Sequence, residues 1–228
     1  MPTTPSWVDG LIDTGRVIYS QTGEEGVIDA ILKAIGTESR YLVDIGAGDG
    51  KTLSNTRFLL EQGWHGARFD VAYAADVHQH RITAENVCDV LAKYNVPGEF
   101  DLLSLDIDGV DWYVLRAILG SYAPRVIVCE VNNAKPASPP LAVQYDPEMV
   151  FHDTEYFGAT VSAYEMLCKA FGYTLVYVRH FNAFFVRAEL APPDTEYIDE
   201  FQQSSIWPPD PRPWVPITPV DCCRRNGQ

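Results

Sequence analysis

Asp106 and Asp108 stand two apart in the run Leu105-Asp106-Ile107-Asp108-Gly109. In extended chain that spacing puts both carboxylates on one side. Two acids so placed either share a divalent cation or leave one of them, its pKa raised, to act as a general base. Glu130 sits between Cys129 and Val131 in an apolar run and is costly to bury alone. It is expected either to complete a metal site with Asp106 and Asp108 or to orient a substrate hydroxyl. A divalent cation such as Mg²⁺ is thus one expected ligand. His152, next to Asp153 in the long stretch Asn132 to Phe157, is a further candidate base. A loop of that length in a compact domain is often a lid. His78 and His80 alternate, but no further Cys or His stands at ligand spacing, so zinc is not expected.

A second group of residues points to a ligand held by backbone. In Val43-Asp44-Ile45-Gly46-Ala47-Gly48-Asp49-Gly50 an apolar run meets three glycines at alternate positions. Glycine lets a chain turn sharply and approach a ligand closely. The spacing is GxGxG, not the GxGxxG of dinucleotide binders. It suits S-adenosylmethionine better, whose amino-acid part is zwitterionic and carries no phosphate. Asp70 follows the glycines by roughly 20 residues, where an acid can accept hydrogen bonds from both ribose hydroxyls.

These residues need elements to position them. Helical spacing marks Glu25–Gly36, Leu53–Gly63, Thr83–Tyr94, Asp111–Tyr122 and Ala159–Phe171. Short apolar runs at Tyr41–Ile45, Ala67–Asp70, Phe100–Leu105 and Arg125–Val131 read as buried strands. Tyr173–Arg179 and Asn182–Arg187 read as two strands joined by a tight turn. Asp111 is expected to cap the helix it opens. Strands alternating with helices and ending in a hairpin predict an α/β fold with a mostly parallel sheet covered on both faces and one antiparallel edge. Ligands of such sheets lie beyond the carboxyl ends of the strands, which is where Gly46, Asp70, Asp106 and Glu130 fall.

Composition bounds the rest. The chain has 228 residues, 46% hydrophobic and 21% charged, which suits one globular domain with an appendage. Its net charge of −14 disfavours nucleic acid and anionic membrane surfaces as partners. No apolar run approaches a membrane span. Met1 to Arg16 shows no basic segment followed by an apolar one, so no secretory signal and a cytoplasmic location are expected. Five cysteines, none in a CxxC pair, fit a reducing compartment. Cys222 and Cys223 are expected to be exposed thiols. Eight of the 16 prolines lie from Pro192 onward, with Trp207 and Trp214 among them. That composition divides the chain into a body, residues 1–190, and a Pro/Trp-rich extension, residues 191–228. One more helix is expected between Asp194 and Ser204. The tryptophans can dock on the body or mediate a homo-oligomer.

The motifs together resemble the FkbM-like class I methyltransferases. The resemblance is carried by Ser20-Gln21-x-Gly23-Glu24-Glu25-Gly26, Asp44-Ile45-Gly46-Ala47-Gly48-Asp49-Gly50, Leu53-Ser54-Asn55-Thr56, Gly63-Trp64-x-Gly66 and Ser104-Leu105-Asp106-Ile107-Asp108-Gly109, with Glu130 after the next strand. Tyr156-Phe157-Gly158-Ala159 and Asn182-Ala183-Phe184-Phe185-Val186-Arg187 are similar to one branch of that group. The resemblance spans roughly residues 18–190. It implies a Rossmann-like, doubly wound sheet of seven strands, S-adenosylmethionine as donor, and O-methylation of a small hydroxylated metabolite, natural product or sugar. It also implies that Asp44, Gly46, Gly48, Asn55 and Asp70 contact the donor, with Gln21 helping to close that pocket. One departure stands out: Asp70 to His78 is too short for a helix, so the adenine end must be walled differently. Two other readings stay open. Asp70 could hold a nicotinamide ribose in an NAD-dependent oxidoreductase, against which the missing GxGxxG counts. The chain could also be a non-catalytic methyltransferase-like subunit whose tail binds a partner.

Overall fold

The computed structural model describes residues 6–223. A 3-10 turn at Asp9–Leu11 leads into α1 (Glu24–Ile35) and β1 (Tyr41–Ile45). Then come α2 (Arg57–Glu61), β2 (His65–Asp70), β3 (His78–Gln79), α3 (Val87–Lys93), β4 (Glu99–Leu105), α4 (Asp111–Leu119) and β5 (Ala123–Glu130). The second half holds β6 (Leu141–Val143), α5 (Val161–Ala170), β7 (Tyr173–His180), β8 (Asn182–Arg187), β9 (Ile198–Phe201), β10 (Trp214–Pro216) and α6 (Pro219–Cys222).

Eight strands form one sheet in the order β3-β2-β1-β4-β5-β8-β7-β9, and β6 and β10 form a small antiparallel pair. In the large sheet β8 runs antiparallel to both of its neighbours, and the remaining pairs are parallel. The antiparallel hairpin strand is β8, and it lies inside the sheet between β5 and β7 instead of at the expected edge, which the parallel strand β9 takes. Side chains alternate between two cores, as period-two geometry requires. Leu42, Leu102 and Val126 face one layer with α1, while Val43, Leu103 and Ile127 face the other with α4 and α5. Both faces are covered, which is why these strands read as near-continuous apolar runs.

The helix expected at 194–204 is a strand. Ile198–Phe201 pairs in parallel with the free edge of β7. Ile198 packs toward one core, and Tyr197 and Phe201 pack toward the other, an alternation that a strand satisfies and a helix does not. Glu200 fixes the register by accepting hydrogen bonds from Tyr177 Oη at 2.5 Å and Arg179 Nη1 at 3.0 Å. This added edge strand is why the main sheet has eight strands. Residues 191–223 continue across the body: β10 pairs with β6, and α6 buries Cys222 against the core beside α5. Cys222 is thus buried, contrary to expectation, and Cys223 is exposed. Residues 224–228 of the extension lie outside the described residues. No described helix is long and apolar enough to cross a membrane.

At the amino end of the parallel strands a single carboxylate ties three segments. Asp101 is 0% exposed and accepts backbone N–H bonds from Glu38, Ser39 and Arg40 at 2.6–3.1 Å. Its Oδ1 lies 3.2 Å from Arg125 Nε of β5, and Arg125 also reaches Glu38 and the carbonyls of Ile35 and Gly36. Breaking a buried, hydrogen-bonded pair typically costs about 3–5 kcal/mol. Asp101→Ala is therefore expected to lower the unfolding midpoint by roughly 6–12 °C, measured by circular dichroism. A drop under about 2 °C would show that the tie carries no stability.

Candidate active site

β1, β4 and β5 run parallel, and the strand order reverses between β1 and β4. Such a reversal opens a crevice at the carboxyl ends of the strands. Gly46 makes the crevice floor possible. The strand register continues past β1, with Asp106 N donating to Ile45 O at 2.9 Å, and a Cβ on Gly46 would overlap the Asp106 carbonyl oxygen. Gly46 also has φ 91°, a conformation few other residues adopt. The chain then turns through Gly48, whose N–H donates to Asp70 Oδ2 at 2.8 Å. The other oxygen of Asp70 accepts from Ala72 N at 2.7 Å. Asp70 thus braces the glycine turn, and each of its oxygens keeps a second lone pair.

A cavity of about 570 Å³ opens above this floor. Gln21, Asp44, Gly46, Gly48, Asn55, Asp70, Asp106, Asp108 and Glu130 all line it. The structure therefore brings nine of the residues singled out from sequence into one space. Gln21 is delivered by the loop before α1. Glu25 holds that loop by accepting N–H bonds from Ile18, Tyr19 and Ser20 at 2.5–3.0 Å. Asn55 comes from residues 53–56, which precede α2 instead of belonging to it. Ser54 Oγ accepts the N–H of Arg57 at 3.1 Å and so moves the helix start past the expected Leu53. The wall beyond Asp70 is built by His80, Arg81 and Ile82, from the chain that follows β3.

His152 is not brought to the site. It is exposed and does not line the cavity. Its neighbour Phe151 takes the inward position, packing edge-to-face on Phe157 and Trp207 at centroid distances of 5.5 and 5.6 Å. The long stretch that carries His152 is pinned at both ends, because buried Asn132 donates to the carbonyls of Glu155 and Phe157 and accepts from Ala134 and Lys135 N–H.

Asp111 also departs from its expected role. It is the first residue of α4, and its buried carboxylate turns back to accept from Ile107 N at 2.7 Å and Gly109 N at 2.8 Å. This holds the loop in which Asp108 adopts φ 53°. The ligand oxygens of Asp106, Asp108 and Glu130 then lie within 4.8 Å of one another.

The electrostatics of this cluster are dominated by lost hydration. Burial, then repulsion from the neighbouring acids, drives Asp106 and Glu130 well above the ordinary carboxylate range. The two are hydrogen-bonded to each other, so each one's protonation bears on the other's. Asp108 is raised to about 6, by burial first and then by Asp111, Asp153 and Asp70. Asp44 is also raised to about 6 by burial, against the opposing hydrogen bond from Thr56 Oγ1 at 2.6 Å. Among the described lining residues five carboxyl groups face one guanidinium, Arg81.

Three lining residues, Ser104, Ile206 and Trp207, are not among the site candidates read from the sequence. Ser104 receives Asn55 Nδ2 at 3.3 Å. Trp207 and Ile206 come from the Pro-rich extension, and no motif links them to the glycine turn.

An acid whose folded pKa is raised weakens the fold as pH climbs from its unfolded value to its folded one. Glu130→Gln removes that loss. At pH 7.5 the variant is expected to melt about 3 °C or more above the parent, with the gain shrinking toward zero near pH 4, by differential scanning calorimetry. A lower midpoint at pH 7.5 would refute the half-buried acid pair.

Compared with protein-family models and with curated proteins, the chain matches none.

Proposed function

We propose that the protein is an S-adenosylmethionine-dependent methyltransferase that O-methylates a small hydroxylated acceptor. One observation carries the reading. The glycine turn braced by Asp70 and the carboxyl cluster of Asp106, Asp108 and Glu130 open onto the same cavity. The order β3-β2-β1-β4-β5 supports a Rossmann-like, doubly wound arrangement, with β8 in the sixth place. The cavity lies within the roughly 300–1,000 Å³ common for small-ligand sites.

The donor fits the residues present. A Cβ at Gly48 would meet nothing within 4 Å, so open space adjoins the backbone where the amino-acid part would lie. The free lone pairs of Asp70 are placed for two ribose hydroxyls. Asn55 and Gln21 supply neutral polar contacts. The donor's sulfonium and ammonium are cations, and the excess of carboxyl groups in the cavity favours them.

The chemistry is an in-line displacement. The acceptor hydroxyl loses its proton to Asp108 as its oxygen bonds to the methyl carbon. The carbon–sulfur bond breaks, and its electron pair stays on sulfur, giving the thioether product. The protein supplies alignment and a base with a raised pKa. Asp106 and Glu130, hydrogen-bonded to each other, can orient the acceptor hydroxyl. The same three carboxyl groups would hold a divalent cation, which would acidify the bound hydroxyl.

Calorimetric titration of the full chain with S-adenosylmethionine and with its demethylated product, each with and without Mg²⁺, tests the donor. Micromolar binding, weakened at least about tenfold in Asp70→Ala, is the expected result. Tighter binding with Mg²⁺ would support the carboxyl group as a metal site. No binding under either condition would remove the enzyme reading and favour a non-catalytic subunit, while binding of NAD in its place would favour an oxidoreductase.

Once an acceptor is in hand, Asp106→Asn is expected to cut turnover while donor affinity stays within a few-fold. Because Asp108 must be ionised to take the proton, kcat/KM should fall about tenfold per unit as pH drops below about 6. A rate independent of pH between 5 and 8 would exclude Asp108 as the base.

A further inference from the structure

The extension contributes Ile206 and Trp207 to the apolar part of the cavity lining. Residues 204–214 cross the mouth as a strap fastened on both sides. Ser204 N donates to Asn133 O at 2.7 Å, and Glu155 N donates to Pro208 O at 3.0 Å. Thr154 Oγ1 donates to Asp210 Oδ2 at 3.0 Å, and Tyr156 Oη to Pro213 O at 2.9 Å. Between these fastenings Trp207 lines the cavity. Its ring packs edge-to-face on Phe157 and Phe151, with centroids 5.7 and 5.6 Å away.

The single hydrogen-bond donor of the indole is already engaged, with Nε1 donating to Asn133 Oδ1 at 2.9 Å. Trp207 therefore has no free N–H for a ligand and adds aromatic surface to the lining. Phe157, Phe181, Ile206 and Met149 extend the apolar side of the cavity. Asp106, Asp108 and Glu130 line the same cavity. A flat ring suits the wall, and a positive charge suits both the carboxyl groups and the indole face. A carboxylate or phosphate on the acceptor would meet repulsion, because Arg81 is the one guanidinium among the described lining residues and it already donates to Met149 O at 3.3 Å.

We propose that Trp207, held by Asn133, is a specificity-determining residue of this site, and that it selects a ligand with an aromatic ring and a positive charge. The ring packs against the indole, and the charge is drawn by the carboxyl groups that line the cavity. Naming that ligand the acceptor rests on the methyltransferase reading.

The test uses a matched pair of probes and the full chain. Tyramine and 3-(4-hydroxyphenyl)propanoate share ring and hydroxyl and differ in the sign of their charge. By calorimetry, with S-adenosylhomocysteine present and absent, tyramine is expected to bind at least tenfold more tightly than the anion. Trp207→Ala should weaken tyramine at least tenfold and leave S-adenosylhomocysteine within threefold. Trp207→Phe, which keeps a ring, should retain most of the affinity and guards against a variant that fails to fold. Equal or tighter binding of the anion, full affinity in Trp207→Ala, or no binding of either probe would each overturn the proposal. If tyramine binds as expected but S-adenosylhomocysteine does not, the ligand pocket stands and the methyltransferase reading falls.

Discussion

Asp101 and Asp106 lie at opposite ends of β4, and the protein treats their carboxyl groups in opposite ways. Asp101 is surrounded by N–H donors and the Arg125 guanidinium, so its charge is compensated where it is buried. Asp106 is surrounded by other acids, so its charge is not. A fold that can neutralise one buried carboxylate so fully has no structural need for the second arrangement. Uncompensated acids weaken a fold, and strain of that kind concentrates where a ligand relieves it. That asymmetry along one strand is the main physical reason to read the carboxyl end of the sheet as a working site.

The remainder of the site follows from keeping that end open yet rigid. Gly46 lets the chain leaving β1 pass against the Asp106 carbonyl, so the ends of β1 and β4 stay in register beyond the last strand residue. Asp70 braces the glycine turn from β2, and Asp111 braces the Asp106–Gly109 loop from α4. Each brace is a carboxylate accepting backbone N–H bonds, the strong charge-assisted kind. The acids around the cavity therefore fall into two groups. Asp70 and Asp111 hold backbone, while Asp106, Asp108 and Glu130 stand together with oxygens within 4.8 Å of one another and line the cavity.

What could be read from the sequence was what depends on local pattern. Apolar runs located β1, β4 and β5, and the acids at their ends were found because strand ends are where ligands bind in such sheets. What could not be read depended on distant partners. Residues 198–201 look helical or extended by composition, and only the free edge of β7 decides for a strand. Asp111 has the look of a helix cap, but the loop behind it offers two N–H donors at closer reach. His152 was an attractive base by residue type, yet whether it or Phe151 turns inward depends on the ring cluster with Trp207. Cys222 is buried because α6 docks beside α5. Trp207 itself lay in a proline-rich stretch whose path no period can predict.

That path changes what the extension is. Prolines deprive a chain of N–H donors and of helix, which by composition suggests a loose tail. Here the same property suits a strap, because a stiff extended chain loses little entropy when laid across a surface. It needs few ladder bonds, and its carbonyls are free to accept bonds from the body, as those of Pro208 and Pro213 do from Glu155 and Tyr156. The tryptophans then do what stiff backbone cannot: Trp214 packs on Tyr156 at a centroid distance of 5.5 Å, and Trp207 closes the apolar side of the cavity. A cavity whose floor comes from the first half of the chain, and part of whose wall comes from the extension, is completed only when the whole chain has folded. The compositional boundary at residue 190 is thus a boundary of chain stiffness, and the candidate site draws on both sides of it.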